Sequence, residues 1–160
     1  RMPFLPHVVM LRRSGPWCGR SGFDIASVAK GSLEKAMNQH KGSFGMNLIA
    51  SARVAEVVSD REALRFSFAV EPHLANGLEQ LHGGAYAALA DVFTTAHLWG
   101  VRPDVSHVSM DFSIQYYRGA PLNARVICET RVAKFGGRVA FTHFKFLDAD
   151  TSAIFCEGSH

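Results

Sequence analysis

The segment LHGGAYAALAD, residues 81 to 91, sets a histidine and two glycines against a run of small helix formers that closes on a carboxylate. Glycines in the first turn of a helix leave backbone N–H groups unshielded, at the end that carries about half a positive charge. Gly83 and Gly84 therefore suit an oxygen that becomes negative in a transition state, and one such donor is typically worth about 3 kcal/mol there. Backbone geometry or close packing also explains glycines at a helix start. Asp91 bears on the choice, because an acid in an apolar helix must reach solvent, cap a partner or do chemistry. A polar stripe shared with Thr94 and Thr95 is the plainer alternative.

Spacing constrains how these groups could cooperate. Nine residues of helix, from His82 to Asp91, turn through roughly 180° and rise by roughly 13 Å. One chain would hold Asp91 away from its own Gly83 amide. If the two act together, the amide comes from one subunit and the carboxylate from another, so the active protein is an oligomer.

The elements that must position them follow from periodicity. SLEKAMNQH reads as a short helix with Ser32 at the N-cap and Leu33, Ala36 and Met37 on its apolar face. Val54 and Val57, then Leu64, Phe66, Phe68 and Val70, alternate in two runs broken at Ser59-Asp60, which predicts an antiparallel hairpin. Pro72 and Asn76-Gly77 carry turn chemistry into the 81–91 segment. Ala85, Ala88, Leu89, Val92 and Ala96 recur at helical spacing, predicting a long helix over 83–99. Four strand-like runs follow, SHVSMDFSIQYY, NARVICETRVAKF, RVAFTHFKFLDA and SAIFCEG, joined by short Gly, Pro and Asp connectors. Helix, two strands, long helix and four strands make an α+β fold with an antiparallel sheet. An Ala-rich helix beside a Phe-bearing sheet face predicts a sheet wrapped around that helix.

Composition bounds the rest. The chain has 160 residues, 48% hydrophobic, 19% charged and with 12 phenylalanines, which fits one globular domain. Its 17 basic against 14 acidic residues leave a charge of +3, with the basic residues scattered, so nucleic acid is not indicated. Cys18, Cys128 and Cys156 have no C-x-x-C spacing, and no H-E-x-x-H or G-x-x-x-x-G-K occurs, so no metal or prosthetic cofactor is implied. No apolar run approaches the roughly 20 residues of a spanning helix.

Residues 1–31 are distinct. Arg1, Arg12, Arg13, Arg20 and Lys30 face one acid, Asp24. This basic leader resembles an organellar transit peptide and points to a mitochondrion or similar compartment. An ordinary flexible terminus, with a cytoplasmic protein, is the alternative. The folded domain is read as 32–160.

LHGGAYAALAD, followed by VSMDFSIQYYRGAP and the AKFGGRVAF hairpin, resembles the hotdog-fold acyl-CoA thioesterases of the phenylacetate-degradation type. The likeness runs from about Ser32 to Glu157. It implies a hotdog fold, assembly as a homodimer and often a dimer of dimers, and hydrolysis of an acyl-CoA, with coenzyme A as part of the substrate and no separate cofactor. By position, the Gly83 N–H polarises the thioester carbonyl and Gly84 opens space beside it. Asp91 of the neighbouring subunit acts as general base or as nucleophile. Asn76 helps hold the carbonyl or the water, Ser109 positions the water, and His82 orients the glycine turn. Lys134, Gly137 and Arg138 of the hairpin, and Arg118, meet the coenzyme A phosphates. One departure stands out: relatives often carry glycine three residues after the asparagine, where this chain has Glu79.

A hotdog hydratase or dehydratase shares the fold but needs a His and an acid working as a pair. A non-catalytic acyl-CoA or lipid-binding module could use the same cradle, and Asp91 would then have no task. A Ser109, His82 and Asp91 triad lacks the G-x-S-x-G elbow.

Overall fold

A computed structural model describes residues 9–11, 24–52, 56–60 and 63–160. Helix α1 spans Ile25–Gln39, and the Asp24 carboxylate caps it by accepting from the Ala26 N–H at 3.1 Å. The expected cap at Ser32 is therefore corrected: Ser32 lies mid-helix. The stripe of Leu33 and Ala36 extends back through Ala29 and Ala26, all buried at helical spacing, so the helix starts where that stripe starts. It crosses the 31/32 boundary drawn between leader and domain. Apart from 9–11 and 24–31, the leader lies outside the described residues, as does Val54.

A second helix, α2 over Phe44–Ala52, was not expected from sequence. Tertiary packing forms it: Ile49 and Ala52 are buried, and a Cβ at Gly45 would stand 3.2 Å from Val92 Cγ2. The glycine that weakens the local helix signal is what lets α2 approach the long helix.

Strands β1 (Val9–Leu11), β2 (Glu56–Asp60), β3 (Ala63–Ala69), β4 (His107–Val108), β5 (Ser113–Tyr116), β6 (Arg125–Phe135), β7 (Val139–Asp148) and β8 (Ile154–Ser159) form one antiparallel sheet. The order runs β2-β3-β6-β7, and the far edge of β7 is shared. Its later part, His143–Leu147, pairs with β8, while Val139 and Ala140 pair with β1; β5 then lies beyond β8 and β4 beyond β1. The expected β2–β3 hairpin is present, with Val57 opposite Phe66. SHVSMDFSIQYY, read as one strand, forms two. Between them Ser109 Oγ turns to Asp91, and the Phe112 ring stacks on Phe144 at 5.2 Å. Close approach of β5 to β8 requires glycine, since a Cβ at Gly158 would fall 1.9 Å from the Ser113 carbonyl oxygen.

The long helix, α3, spans Gly83–Val101. Tyr86, Leu89, Ala90, Val92, Phe93, Ala96 and Leu98 are all buried, so α3 is enclosed nearly all round rather than along one stripe. Phe66 of β3 stacks on Phe93 at 4.3 Å on the sheet side, while Gly100 admits Ile25 and Ala29 of α1 on the other. Each fully buried large apolar side chain contributes about 2 kcal/mol. Residues on the outer sheet face carry charge in register, Arg65 opposite Glu129, Glu129 opposite Lys145, and Lys145 opposite Glu157.

His97 is the one buried histidine of α3 and bonds Thr130 Oγ1 through Nδ1 at 2.9 Å. Burial pushes its pKa down to about 4. The unfolded chain then takes up a proton that the fold refuses, so stability is full above about pH 6.5 and falls towards pH 4 by about 1.4 kcal/mol per unit from this group. Urea unfolding at pH 7 and pH 5 should show that loss in the wild type and a smaller one in His97→Asn, which keeps a partner for Thr130. Equal slopes in both proteins would contradict the assignment.

Candidate active site

His82 is the N-cap of α3, and its Nδ1 accepts from the Gly84 N–H at 2.9 Å. That bond places the ring proton of a neutral imidazole on Nε2, which faces outward on an exposed side chain. The His82 carbonyl accepts from Ala85 N–H at 2.9 Å and Tyr86 N–H at 3.1 Å. A planar peptide whose oxygen is held by two donors has its N–H direction fixed as well. Among the described residues nothing accepts from the Gly83 N–H, which belongs to that peptide. The helix start thus presents one aimed, unsatisfied donor at its positive end.

The two glycines have different reasons. A Cβ at Gly84 would meet His82 Nδ1 at 3.1 Å and Cε1 at 3.3 Å, so the capping ring occupies that space. At Gly83 a Cβ would meet only the Tyr116 ring, at an ordinary 3.7 Å.

Asp91 lies two turns further along α3 with its side chain 47% exposed. Ser109 donates through Oγ to Asp91 Oδ1 at 2.7 Å, and His160 Nε2 lies 3.3 Å from the same oxygen, off the hydrogen-bonding line. Both contacts fall on Oδ1, and Oδ2 has no partner among the described residues. His160 is 1% exposed, wedged edge-on against Phe112, with Nδ1 at 2.6 Å from Thr94 Oγ1. Burial lowers its pKa and the Asp91 charge opposes that, leaving it below the ordinary histidine value. The Thr94 hydroxyl donates its one proton to the Ala90 carbonyl at 2.8 Å, so a neutral His160 ring donates to Thr94 Oγ1 from Nδ1. Ser109 donates to an acid rather than to a histidine, so the triad drawn from Ser109, His82 and Asp91 does not form.

His160 was absent from the sequence reading. Its type and spacing carry no signal, since it follows the last strand-like run and meets Asp91 only because it pairs with Thr142 of β7. The sequence-predicted residues therefore fall into two groups in one chain, Gly83, Gly84 and His82 at the helix start, Asp91 and Ser109 further along. No contact joins the groups among the described residues.

Asn76 uses Oδ1 within its own loop, accepting from Leu78 N–H at 2.9 Å and Gln80 N–H at 3.3 Å. The departure at Glu79 has a structural answer: Glu79 takes φ of 55°, the left-handed conformation that glycine adopts without strain. The loop keeps its shape at some cost. Glu79→Gly should therefore stabilise the protein by about 0.5–1 kcal/mol, the relief of strain less the extra freedom of an unfolded glycine. A denaturation midpoint that falls in this variant would contradict the strain.

Lys134, Gly137 and Arg138 are exposed around the β6–β7 turn, which the Gly136 N–H closes onto the Val139 carbonyl at 2.7 Å. Neither Lys134 nor Arg138 makes an ion pair among the described residues. Arg118 is engaged by its own chain, donating to the Ile154 carbonyl at 3.2 Å with its guanidinium 5.3 Å above the Phe155 ring. No cluster of three His, Cys, Asp or Glu side chains suited to a metal ion occurs among the described residues. No helix among them is long and apolar enough to cross a membrane.

Comparison with known proteins bears on this arrangement. Residues 79–154 match the family model described as Thioesterase superfamily. A Schizosaccharomyces pombe protein provisionally named as an esterase is 28% identical over 141 residues, covering 88% of this chain and 84% of its own. The crystal structure of thioesterase superfamily member 2 from Mus musculus superposes with a TM-score of 0.67 at 27% identity, over 81% of this chain and 92% of that one. The E. coli PaaI protein from the phenylacetic acid degradation operon gives 0.62 at 15% identity, over 83% and 97%, a likeness of fold alone. Residues 79–154 of this chain thus resemble the Thioesterase superfamily, and the chain takes the hotdog fold of these solved structures, an α+β architecture with an antiparallel sheet around one long helix.

Proposed function

We propose that the protein hydrolyses acyl-CoA thioesters at sites completed between two copies of the chain. The observation that carries this reading is the Gly83 N–H, unsatisfied at a helix N-terminus and aimed by a peptide whose carbonyl is held by two donors. A thioester carbonyl oxygen placed there gains negative charge as it is attacked, and a fixed donor stabilises that charge without reorganisation. Asp91 of the neighbouring subunit supplies the second half. With Oδ1 held by Ser109, Oδ2 is left to take a proton from water, whose oxygen attacks the carbonyl carbon. The C–S bond then breaks, and the thiolate of coenzyme A leaves and is protonated. Direct attack by Asp91 through a transient anhydride uses the same geometry.

The open edge of β4 and β5 supports the pairing of copies. Val108 and Met110, on either side of Ser109, are 67% and 54% exposed, and Tyr116 and Tyr117 are 48% and 51% exposed. An apolar row of this kind on an unpaired edge is a docking surface, and a second copy would bring its own edge to it. Lys134 and Arg138 remain available for the phosphates of coenzyme A. Arg118 has less freedom, given its contacts with Ile154 and Phe155.

Thiol release from short, medium, long-chain and aryl-acetyl CoA esters tests the reading. Turnover of at least one class supports hydrolysis and identifies the acyl group; tight binding of acyl-CoA with no thiol released would leave a carrier instead.

A further inference from the structure

The peptide that joins Gly83 to Gly84 is held at both ends by side chains. Its N–H goes to His82 Nδ1 at 2.9 Å, and its carbonyl accepts the Tyr116 hydroxyl at 2.8 Å. The second bond crosses from β5 to α3, linking residues 33 apart in the chain. Two successive glycines have more backbone freedom than any other pair, so a helix start built from them needs external restraint. The His82 bond acts from within the same turn. Among the described residues, the Tyr116 bond is what ties that turn to the sheet.

We propose that Tyr116 is a positioning residue, which aims the Gly83 N–H by fixing the next peptide against the sheet. The proposal rests on the thioesterase reading for its effect on turnover, and on geometry for the restraint itself. Tyr116 is well suited to it. Burial, and then the nearby Cys156, raise its pKa, so the hydroxyl keeps its proton and donates throughout the neutral range. The ring is braced edge-on against Tyr86 with centroids 6.0 Å apart, and Tyr86 is itself buried and bonded through its hydroxyl to the Ala120 N–H at 3.1 Å. The hydroxyl approaches Gly83 across the side on which a Cβ would lie, within ordinary contact distance. Tyr116 therefore orients a donor without touching the reacting oxygen.

Tyr116→Phe keeps the ring and removes only the hydroxyl, and Tyr116→Ala removes both. In Tyr116→Phe, amide exchange at Gly84, read by NMR, should accelerate about tenfold, and kcat for acyl-CoA hydrolysis should fall about five- to tenfold with KM within about twofold and an unchanged melting temperature. Tyr116→Ala should lose no less in kcat. Unaltered exchange at Gly84, or an unaltered kcat in an active enzyme, would overturn the proposal. A wild type that releases no thiol, while the Gly84 amide of Tyr116→Phe exchanges faster, would sink the thioesterase reading and leave Tyr116 as the restraint on this peptide. An inert wild type with unaltered exchange in the variant would overturn both.

Discussion

Gly83→Pro should fold as the wild type does and lose about a hundredfold to a thousandfold in kcat, the effect of deleting one oxyanion donor. Proline removes the backbone N–H and nothing else that this position uses. Gly83 is the first residue of α3, the helical position where proline is favoured and where the missing hydrogen bond costs nothing. Its φ is not positive, so the fixed proline angle is compatible. The preceding residue, His82, has φ of −63° and ψ of 136°, in the extended region that a following proline requires. The ring has room, since the nearest group to a Cβ there is Tyr116 at 3.7 Å. The melting temperature should hold or rise, because proline also restricts the unfolded chain. Gly83→Ala at the same site keeps the N–H and should retain most of the activity. Loss of turnover in both variants alike would mean that shape, not the donor, matters at this position.

Asp91→Asn should lower kcat by about a thousandfold, within the range of a general base, with little change in KM. The amide keeps an oxygen where Oδ1 lies, so the Ser109 hydroxyl retains its acceptor. What changes is the other atom, where an NH2 replaces the unpartnered Oδ2. The variant therefore isolates proton abstraction, or nucleophilic attack, from the support of the carboxylate. A kcat within tenfold of wild type would remove Asp91 from the chemistry and leave it as an anchor for Ser109.

How much of this was legible in sequence depended on how far each contact reaches along the chain. The glycine turn, its histidine and Asp91 lie within eleven residues and share one helix, so spacing alone predicted that Gly83 and Asp91 stand apart. The β2–β3 hairpin and the long helix followed from alternation and period. By contrast, α2 forms because Gly45 packs on Val92, a contact that no local pattern announces. The α1 start was misplaced because Ser32 is a plausible cap, whereas the buried stripe begins at Ala26 and Asp24 stands just before it. One strand became two because Phe112 and Ser109 are drawn to Phe144 and Asp91. His160 reaches the site through its pairing with Thr142 of β7, and Tyr116 through the pairing of β5 with β8, and no local pattern announces either register. Glu79 is the instructive case. Its type suggested a changed loop, yet the backbone takes φ of 55° and keeps the turn.

The central claim is that each site combines the helix start of one subunit with the carboxylate of the other, and mixing two inactive variants tests it most directly. Gly83→Pro and Asp91→Asn chains would be unfolded together, refolded together and assayed for thiol release at matched concentration. In a mixed dimer one site pairs an intact Gly83 with an intact Asp91, and the other carries both lesions. Random pairing of the chains in a two-fold dimer should restore about a quarter of wild-type activity. Activity no higher than the average of the two variants refolded alone, in samples shown to contain mixed dimers, would place both halves of the site within one chain and contradict the account.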